Sequence, residues 1–221
     1  MTTTPLASGR LFDAMNATAL RDTAALREVY EQPGEHARRK QVDHLHESAQ
    51  QVIGCSPLVF MASAGADARA DVTPRGGPPG FVSVLDAHTL AVPDATGNKR
   101  LDSLHNIIET GQVGLLFVIP GRDTTLRVNG RACVTTDPQL LEQLTAVGKP
   151  PRSAVVVGVE EVYGHCPKAF LRGGAWKPER WPAADAAPSS AQVTLSHLRD
   201  PSLTVEMIEQ SEREALLYRY E

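Results

Sequence analysis

The residues best able to do chemistry fall in four short runs. The first, Arg69-Ala70-Asp71-Val72-Thr73-Pro74-Arg75-Gly76-Gly77, joins an alternating strand pattern to a glycine-ended turn carrying two arginines, an arrangement that suits an anion. Arg69, Asp71 and Thr73 share one strand parity and point to one face, Ala70 and Val72 to the other. Pro74 removes a backbone donor, and Gly76-Gly77 lets the chain turn or approach a ligand closely. An Arg-Asp pair on a solvated edge strand would read the same way. The second run is Pro93-Asp94-Ala95-Thr96-Gly97-Asn98-Lys99-Arg100-Leu101-Asp102-Ser103-Leu104-His105-Asn106, which follows a strand and opens a helix. Gly97-Asn98 supplies the turn. Lys99, Arg100 and the Ser103 hydroxyl then stand near a helix N-terminus, where free N–H groups and the dipole favour a phosphate, and an arginine fork can hold two of its oxygens.

In the third run, Thr124-Thr125-Leu126-Arg127-Val128-Asn129-Gly130-Arg131-Ala132, alternation sets Thr125, Arg127, Asn129 and Arg131 on one side of a strand. That row can hydrogen-bond a planar heterocycle, or it is the solvent face of an antiparallel strand. The fourth is His165-Cys166-Pro167-Lys168-Ala169-Phe170-Leu171-Arg172, where one helical turn puts Lys168 and Arg172 on one face. His165 and Cys166 are neighbours on a strand and point apart, so a buried thiol and a hydrogen-bonded histidine are expected rather than a nucleophile pair. His44 and His46 fall in a predicted helix, where that spacing diverges. No CxxC, HExxH, GxSxG, Walker loop or GxGxxG is present, so no metal site, hydrolase or Rossmann reading has a foothold.

These runs need elements to hold them. Residues 17–53 read as two amphipathic helices broken at Gln32-Pro33-Gly34, one with the stripe Ala19, Thr23, Leu26, Tyr30, the other with Val42, Leu45, Ala49, Val52. Short β-rich runs follow at Leu58–Ala62, Arg69–Thr73, Phe81–Leu85, Thr89–Val92, Val113–Ile119, Thr125–Val134 and Ala154–Tyr163. Helices are expected at Leu101–Ile108 and at Pro138–Ala146, the second capped by Asp137. Many strands with few long helices between them favour an antiparallel barrel over a doubly wound sheet. Pro182–Gln192 has linker composition, and a helix capped by Thr204 ends the chain, packing on the body or on a second subunit. The expected organisation is a helical region over 1–54, a mainly β domain over 55–181, and a linker with a C-terminal helix over 182–221.

Composition narrows the functional classes. The 221 residues carry a net charge of −4, so no broad basic field is available for nucleic acid or an anionic membrane, and any anion site is local. Cys55, Cys133 and Cys166 are odd in number and scattered, which suits reduced thiols. Met1-Thr2-Thr3-Thr4-Pro5 lacks a signal-peptide pattern and no apolar run reaches membrane-spanning length, so a cytoplasmic protein is expected.

Taken in order, the four runs resemble those of the pyridoxamine-phosphate-oxidase-like flavoproteins, the FMN-binding split-barrel family, over roughly residues 20–180. The nearest branch is an uncharacterised bacterial group. The segments that carry the likeness are Arg69–Gly76, Asp94–Leu104, Thr125–Ala132 and His165–Arg172. The resemblance implies an α+β fold built on a six-stranded split β-barrel, a homodimer, and FMN bound at the dimer interface. Carried over, Arg69, Asp71 and Thr73 run along the ribityl chain and ring. Asn98, Lys99, Arg100 and Ser103 hold the phosphate, Thr125, Arg127 and Asn129 meet the flavin's polar edge, and Lys168 and Arg172 come from the partner. It further implies an FMN-dependent oxidoreductase acting on a small planar or conjugated molecule, with a nicotinamide nucleotide as candidate electron donor; no catalytic residue is assigned. The alternatives are a deazaflavin or heme binder of the same fold, or a non-catalytic flavin sensor. Oxidases of the vitamin proper carry Arg-Leu-His-Asp-Arg near the C-terminus. This chain has Phe170-Leu171-Arg172-Gly173-Gly174-Ala175-Trp176, which argues against vitamin B6 oxidation and suggests a wider pocket mouth at Gly173-Gly174.

Overall fold

The computed structural model describes residues 9–95, 97–144 and 150–219. The N-terminal Met1–Pro5, Thr96 of the second run and the expected helix end at Ala146 lie outside the described residues. Two compact units divide the chain, Met1–Lys40 and Gln41–Glu221. In the first, α1 (Arg10–Ala17), α2 (Thr23–Val29) and α3 (Glu35–Arg39) bury no residue. In the second, α4 (Glu47–Cys55) precedes strands β1 (Leu58–Ala64), β2 (Ala70–Gly76), β3 (Ser83–Asp86) and β4 (Thr89–Asp94). After these come α5 (Asp102–Thr110), β5 (Gln112–Val118), β6 (Thr125–Thr135), α6 (Pro138–Gln143), β7 (Ser153–His165), α7 (Lys168–Gly173), α8 (Ser190–Leu198) and α9 (Val205–Arg219).

The helical pair expected over 17–53 is broken into shorter pieces. Asp22 starts α2 late, its side chain accepting from Ala25 N at 2.8 Å, and Tyr30 is already extended. Tertiary pairing undoes the second: Val42 exchanges both backbone hydrogen bonds with Val162, and Leu45 N donates to Ala87 O at 2.7 Å. Residues 41–46 are thereby drawn onto the sheet, which leaves helix only over Glu35–Arg39 and from Glu47 onward. His44 and His46 therefore do not diverge: their rings stand 4.0 Å apart, with His88 5.6 Å from His44. Among the described residues no group of His, Cys, Asp and Glu is arranged to hold a metal ion.

All strand pairings are antiparallel, in the order β2-β1-β5-β6-β7-β4-β3. The fold is the split barrel with flanking helices. Its sheet has seven strands, matching the seven β-rich runs of the sequence and correcting the six that the family likeness implied. β2 runs on through Pro74 to Gly76 where a turn was expected. Edge position explains it, since β2 pairs only with β1 and can spare a donor. The apolar faces of α4 (Ala49, Ile53) and α5 (Leu104, Ile107) join inward residues such as Met61, Leu115, Phe117, Val128 and Val157 in one core. Each fully buried side chain of this size is worth about 1.5–3 kcal/mol. Asp137 caps α6 as expected, accepting from Leu140 N at 2.8 Å, and Thr204 caps α9. The expected linker ends earlier than its composition suggests, because Ser189 and Gln192 form a capping box that opens α8. α8 and α9 pack on each other, with Ser190 Oγ donating to Glu212. No described helix is long and apolar enough to cross a membrane.

Candidate functional site

A cleft forms where the two ends of the sheet approach each other. On β2, Asp71, Thr73 and Arg75 are half-buried while the residues between them are exposed, so period-two alternation aims this row at the cleft. The opposite wall is the end of β4, the loop after it, and the start of α5. α5 is fixed against β1 by Asn106 Nδ2 donating to Ser63 Oγ at 3.1 Å and Thr110 Oγ1 to Ala64 O at 3.0 Å. Asp71, Thr73, Arg75, Asp94, Lys99, Arg100 and Ser103 are among the residues around a cavity of about 180 Å³. Gly97, Lys99 and Leu101 all take left-handed backbone, with φ of 45°, 63° and 61°. Asn98 Oδ1 accepts from Arg100 N at 3.0 Å, which closes the loop on itself. Leu101 stands at the N-cap and offers no side-chain acceptor, so the first-turn N–H groups of α5 lack a side-chain cap at the cleft.

The carboxylates of the cleft all have partners. Ser103 Oγ donates to Asp71 Oδ2 at 2.5 Å, Arg100 Nε to Asp102 Oδ2 at 2.8 Å, and Arg75 Nη2 stands 3.2 Å from Asp94 Oδ1. Burial pushes the Asp94 carboxyl above its usual range, and the Arg75 charge pulls it partly back. Asp71, Thr73, Asn98, Lys99, Arg100 and Ser103, taken from two separate runs, thus meet in one place. Arg75 and Asp94 also line it, and neither was assigned a role from the sequence. The signal was there in strand parity, since Arg75 lies two residues beyond Thr73.

Arg69 stands apart from that row. It precedes β2, its side chain is 90% exposed, and it pairs with Asp67 at 3.3 Å. It lines an adjoining cavity of about 570 Å³ that also touches Asp71, Arg100, Asp102, Asn106 and Glu109. Arg127 and Asn129 lie elsewhere, around a largely apolar cavity of about 370 Å³ with Phe60, Ala62, Val72 and Leu116. Val72 belongs to the face of β2 opposite Asp71, so this single chain does not bring Arg127 and Asn129 to the first cleft. Both are engaged with β7: Arg127 Nη1 donates to Tyr163 Oη at 2.8 Å, and Asn129 Nδ2 to Glu161 Oε1 at 2.9 Å. Thr125 is buried at the start of the same strand. Lys168 and Arg172 are exposed on α7, outside the linings of these cavities. Cys166 is exposed rather than buried, because β7 has ended before it. Gly174, the second of the two glycines expected at a pocket mouth, ends α7 with φ 61°, where a Cβ would press on the Arg180 side chain.

The model of the family described as pyridoxamine 5'-phosphate oxidase matches residues 45–166. No curated protein matches the chain. Among solved structures, a candidate pyridoxamine 5'-phosphate oxidase from Lactobacillus delbrueckii is 25% identical, covering 55% of this chain and 95% of its own, with a TM-score of 0.44. An F420 reductase is 16% identical over 52% of this chain and 94% of its own, with a TM-score of 0.38. The FAD binding protein of Mycobacterium smegmatis is 16% identical over 56% of this chain and 97% of its own, with a TM-score of 0.39.

Proposed function

Because the chain belongs to the pyridoxamine 5'-phosphate oxidase family of flavin-binding split barrels, we propose that it binds FMN and acts as an oxidoreductase on a small planar or conjugated substrate. The observation that carries this reading is the cleft at the head of α5, where first-turn N–H groups without a side-chain cap meet Arg75, Lys99 and Arg100. That donor set suits a phosphate. The carboxylates beside it do not oppose the fit, since Asp71, Asp94 and Asp102 each have a donor or cation in contact. Heme brings carboxylates but no phosphate to the head of α5, so the phosphate-type donor set favours FMN over it.

The bound flavin supplies the redox chemistry, exchanging a hydride with the substrate. The chain's own residues bind and orient. Lys99, Arg100 and the head of α5 hold the phosphate, while Asp71 and Thr73, next along β2, face the ribityl hydroxyls. A homodimer formed through the face bearing Phe60, Val72 and Leu116 would cover that apolar strip. It would also put Arg127 and Asn129 in an interface, where they can meet a flavin edge and offset negative charge on the reduced ring.

The test is the visible spectrum of the purified protein and a titration with FMN. A flavin spectrum or FMN uptake is expected, and Arg100→Ala should weaken binding about 10- to 100-fold, as loss of a charged hydrogen bond does. His165→Ala should change it little. A colourless protein that ignores FMN, or equal effects of the two substitutions, would refute the reading. Reduction of the bound flavin by a nicotinamide nucleotide is expected; inertness to it and to oxygen would favour a sensor.

A further inference from the structure

The two ends of the sheet are joined at one ion pair. Arg75 lies on β2, the edge strand at one end of the strand order, and Asp94 closes β4, next to the other edge. Their side chains are 3.2 Å apart and only 22% and 10% exposed, and both line the cleft at the head of α5. A pair of this kind, with Asp94 buried and Arg75 half-buried, makes each charge depend on the other. An anion entering the cleft changes both terms at once: it is a second acceptor for the Arg75 guanidinium, and it is a like charge for Asp94.

We propose that Arg75 is a ligand shared between barrel closure and phosphate binding, and that Asp94 takes up a proton as the anion arrives. In the free protein Arg75 Nη2 stands against Asp94 Oδ1 and so clasps β2 to β4. On binding, part of its five-donor array turns to the phosphate. The proton comes from solvent to a carboxyl oxygen of Asp94, and no covalent bond to the ligand forms. The inference rests on the phosphate reading of the cleft.

Burial already holds Asp94 above the ordinary carboxylate range, against the pull of Arg75. Losing part of that pull and gaining an anionic neighbour both act upward. The other charged groups around the cavity are Asp71 from β2, bonded to Ser103, Lys99 and Arg100 from the loop, and Asp102 from α5, paired with Arg100. None of these lining residues is a histidine. The protonated carboxyl favours the complex, so affinity falls as pH rises through the Asp94 pKa of the bound state.

FMN should be titrated into wild type and Asp94→Asn between about pH 5 and about pH 8. The phosphate's own ionisation is common to both proteins and cancels in the ratio of their dissociation constants. Wild type should weaken relative to the variant as pH rises, by about tenfold for each unit through which the anion lifts Asp94. A ratio that does not change with pH overturns the proposal. Arg75→Lys keeps the charge but not the fork, and should bind FMN about tenfold more weakly; unaltered binding also overturns it. If Asp94→Asn does not fold, difference infrared spectra of wild type with and without inorganic phosphate read the carboxyl directly. A protonated-carboxyl C=O band that appears with the ligand supports the proposal, while its absence overturns it.

Inorganic phosphate, followed by the rise in Tm, separates this inference from the flavin reading. Phosphate stabilisation with the Asp94-dependent pH profile, in a protein that ignores FMN, would keep the proposal and remove FMN. No response to either ligand overturns both.

Discussion

Lys99 and Leu101 hold left-handed backbone at the point where the chain passes from β4 into α5, and neither is a glycine. Such a conformation costs an L-residue about 1–2 kcal/mol, and at Lys99 the cost accompanies a cation facing the cleft. Lys99→Gly should therefore raise unfolding free energy by about 1 kcal/mol in urea melts while weakening FMN binding several-fold. Gain of stability with undiminished binding would remove Lys99 from the phosphate site. At this scale the sequence was informative where chemistry is local. Asn98, Arg100, Asp102 and Ser103 sit within one turn of each other, and a turn followed by a helix start is enough to gather them. Asp94 was harder to read: its importance depends on Arg75, which lies 19 positions earlier in the chain (94 − 75) and meets it only through the sheet.

Among the elements, the β6–β7 pair decides how the third run is presented. Its register slips between Asn129 and Gly130, leaving Glu160 extra between Val159 and Glu161, where it pairs with Arg131 at 2.9 Å. A Cβ on Gly130 would meet the Gly158 carbonyl oxygen, backbone that cannot step aside. Gly130→Ala should thus cost about 3 kcal/mol of stability, measured by denaturant unfolding. A loss below about 1 kcal/mol would mean the strands can reregister here. Period-two alternation made the strands legible, and their predicted bounds fall within a few residues of those observed. The N-terminal helices were less so. Their stripes do not survive as helical faces, since Ala19, Tyr30, Val42 and Leu45 all fall outside helices; the cap at Asp22 and the pairing of Val42 with Val162 override helical periodicity, and no local pattern announces a partner 120 residues away (162 − 42).

For the whole molecule the open question is what meets the apolar face of β2-β1-β5. Val72 is 66% exposed and Phe60 37%, around a cavity that also presents Arg127 and Asn129. Apolar surface of this kind on a sheet favours covering by another chain. Light scattering should give a particle of twice the 23.8 kDa chain mass, and Val72→Asp should shift it toward monomer and weaken FMN binding in parallel. A Val72→Asp dimer with full affinity would move the interface elsewhere. Two groups of predicted ligands that a single chain keeps on opposite faces would then need another explanation.

Alternation, turn residues and caps are properties of neighbours in the chain. The sequence alone therefore determined the seven strands, the polar row on β2, the loop and helix head that suit a phosphate, and the family these motifs resemble. Tertiary structure decided what depends on residues far apart. It folded the sheet so that Arg75 of one end meets Asp94 near the other, drew residues 41–46 out of a helix, and set Arg127 and Asn129 on the face away from Asp71. Side-chain parity is fixed by the local backbone, but which face becomes the inside is chosen only when the whole sheet closes around its apolar core.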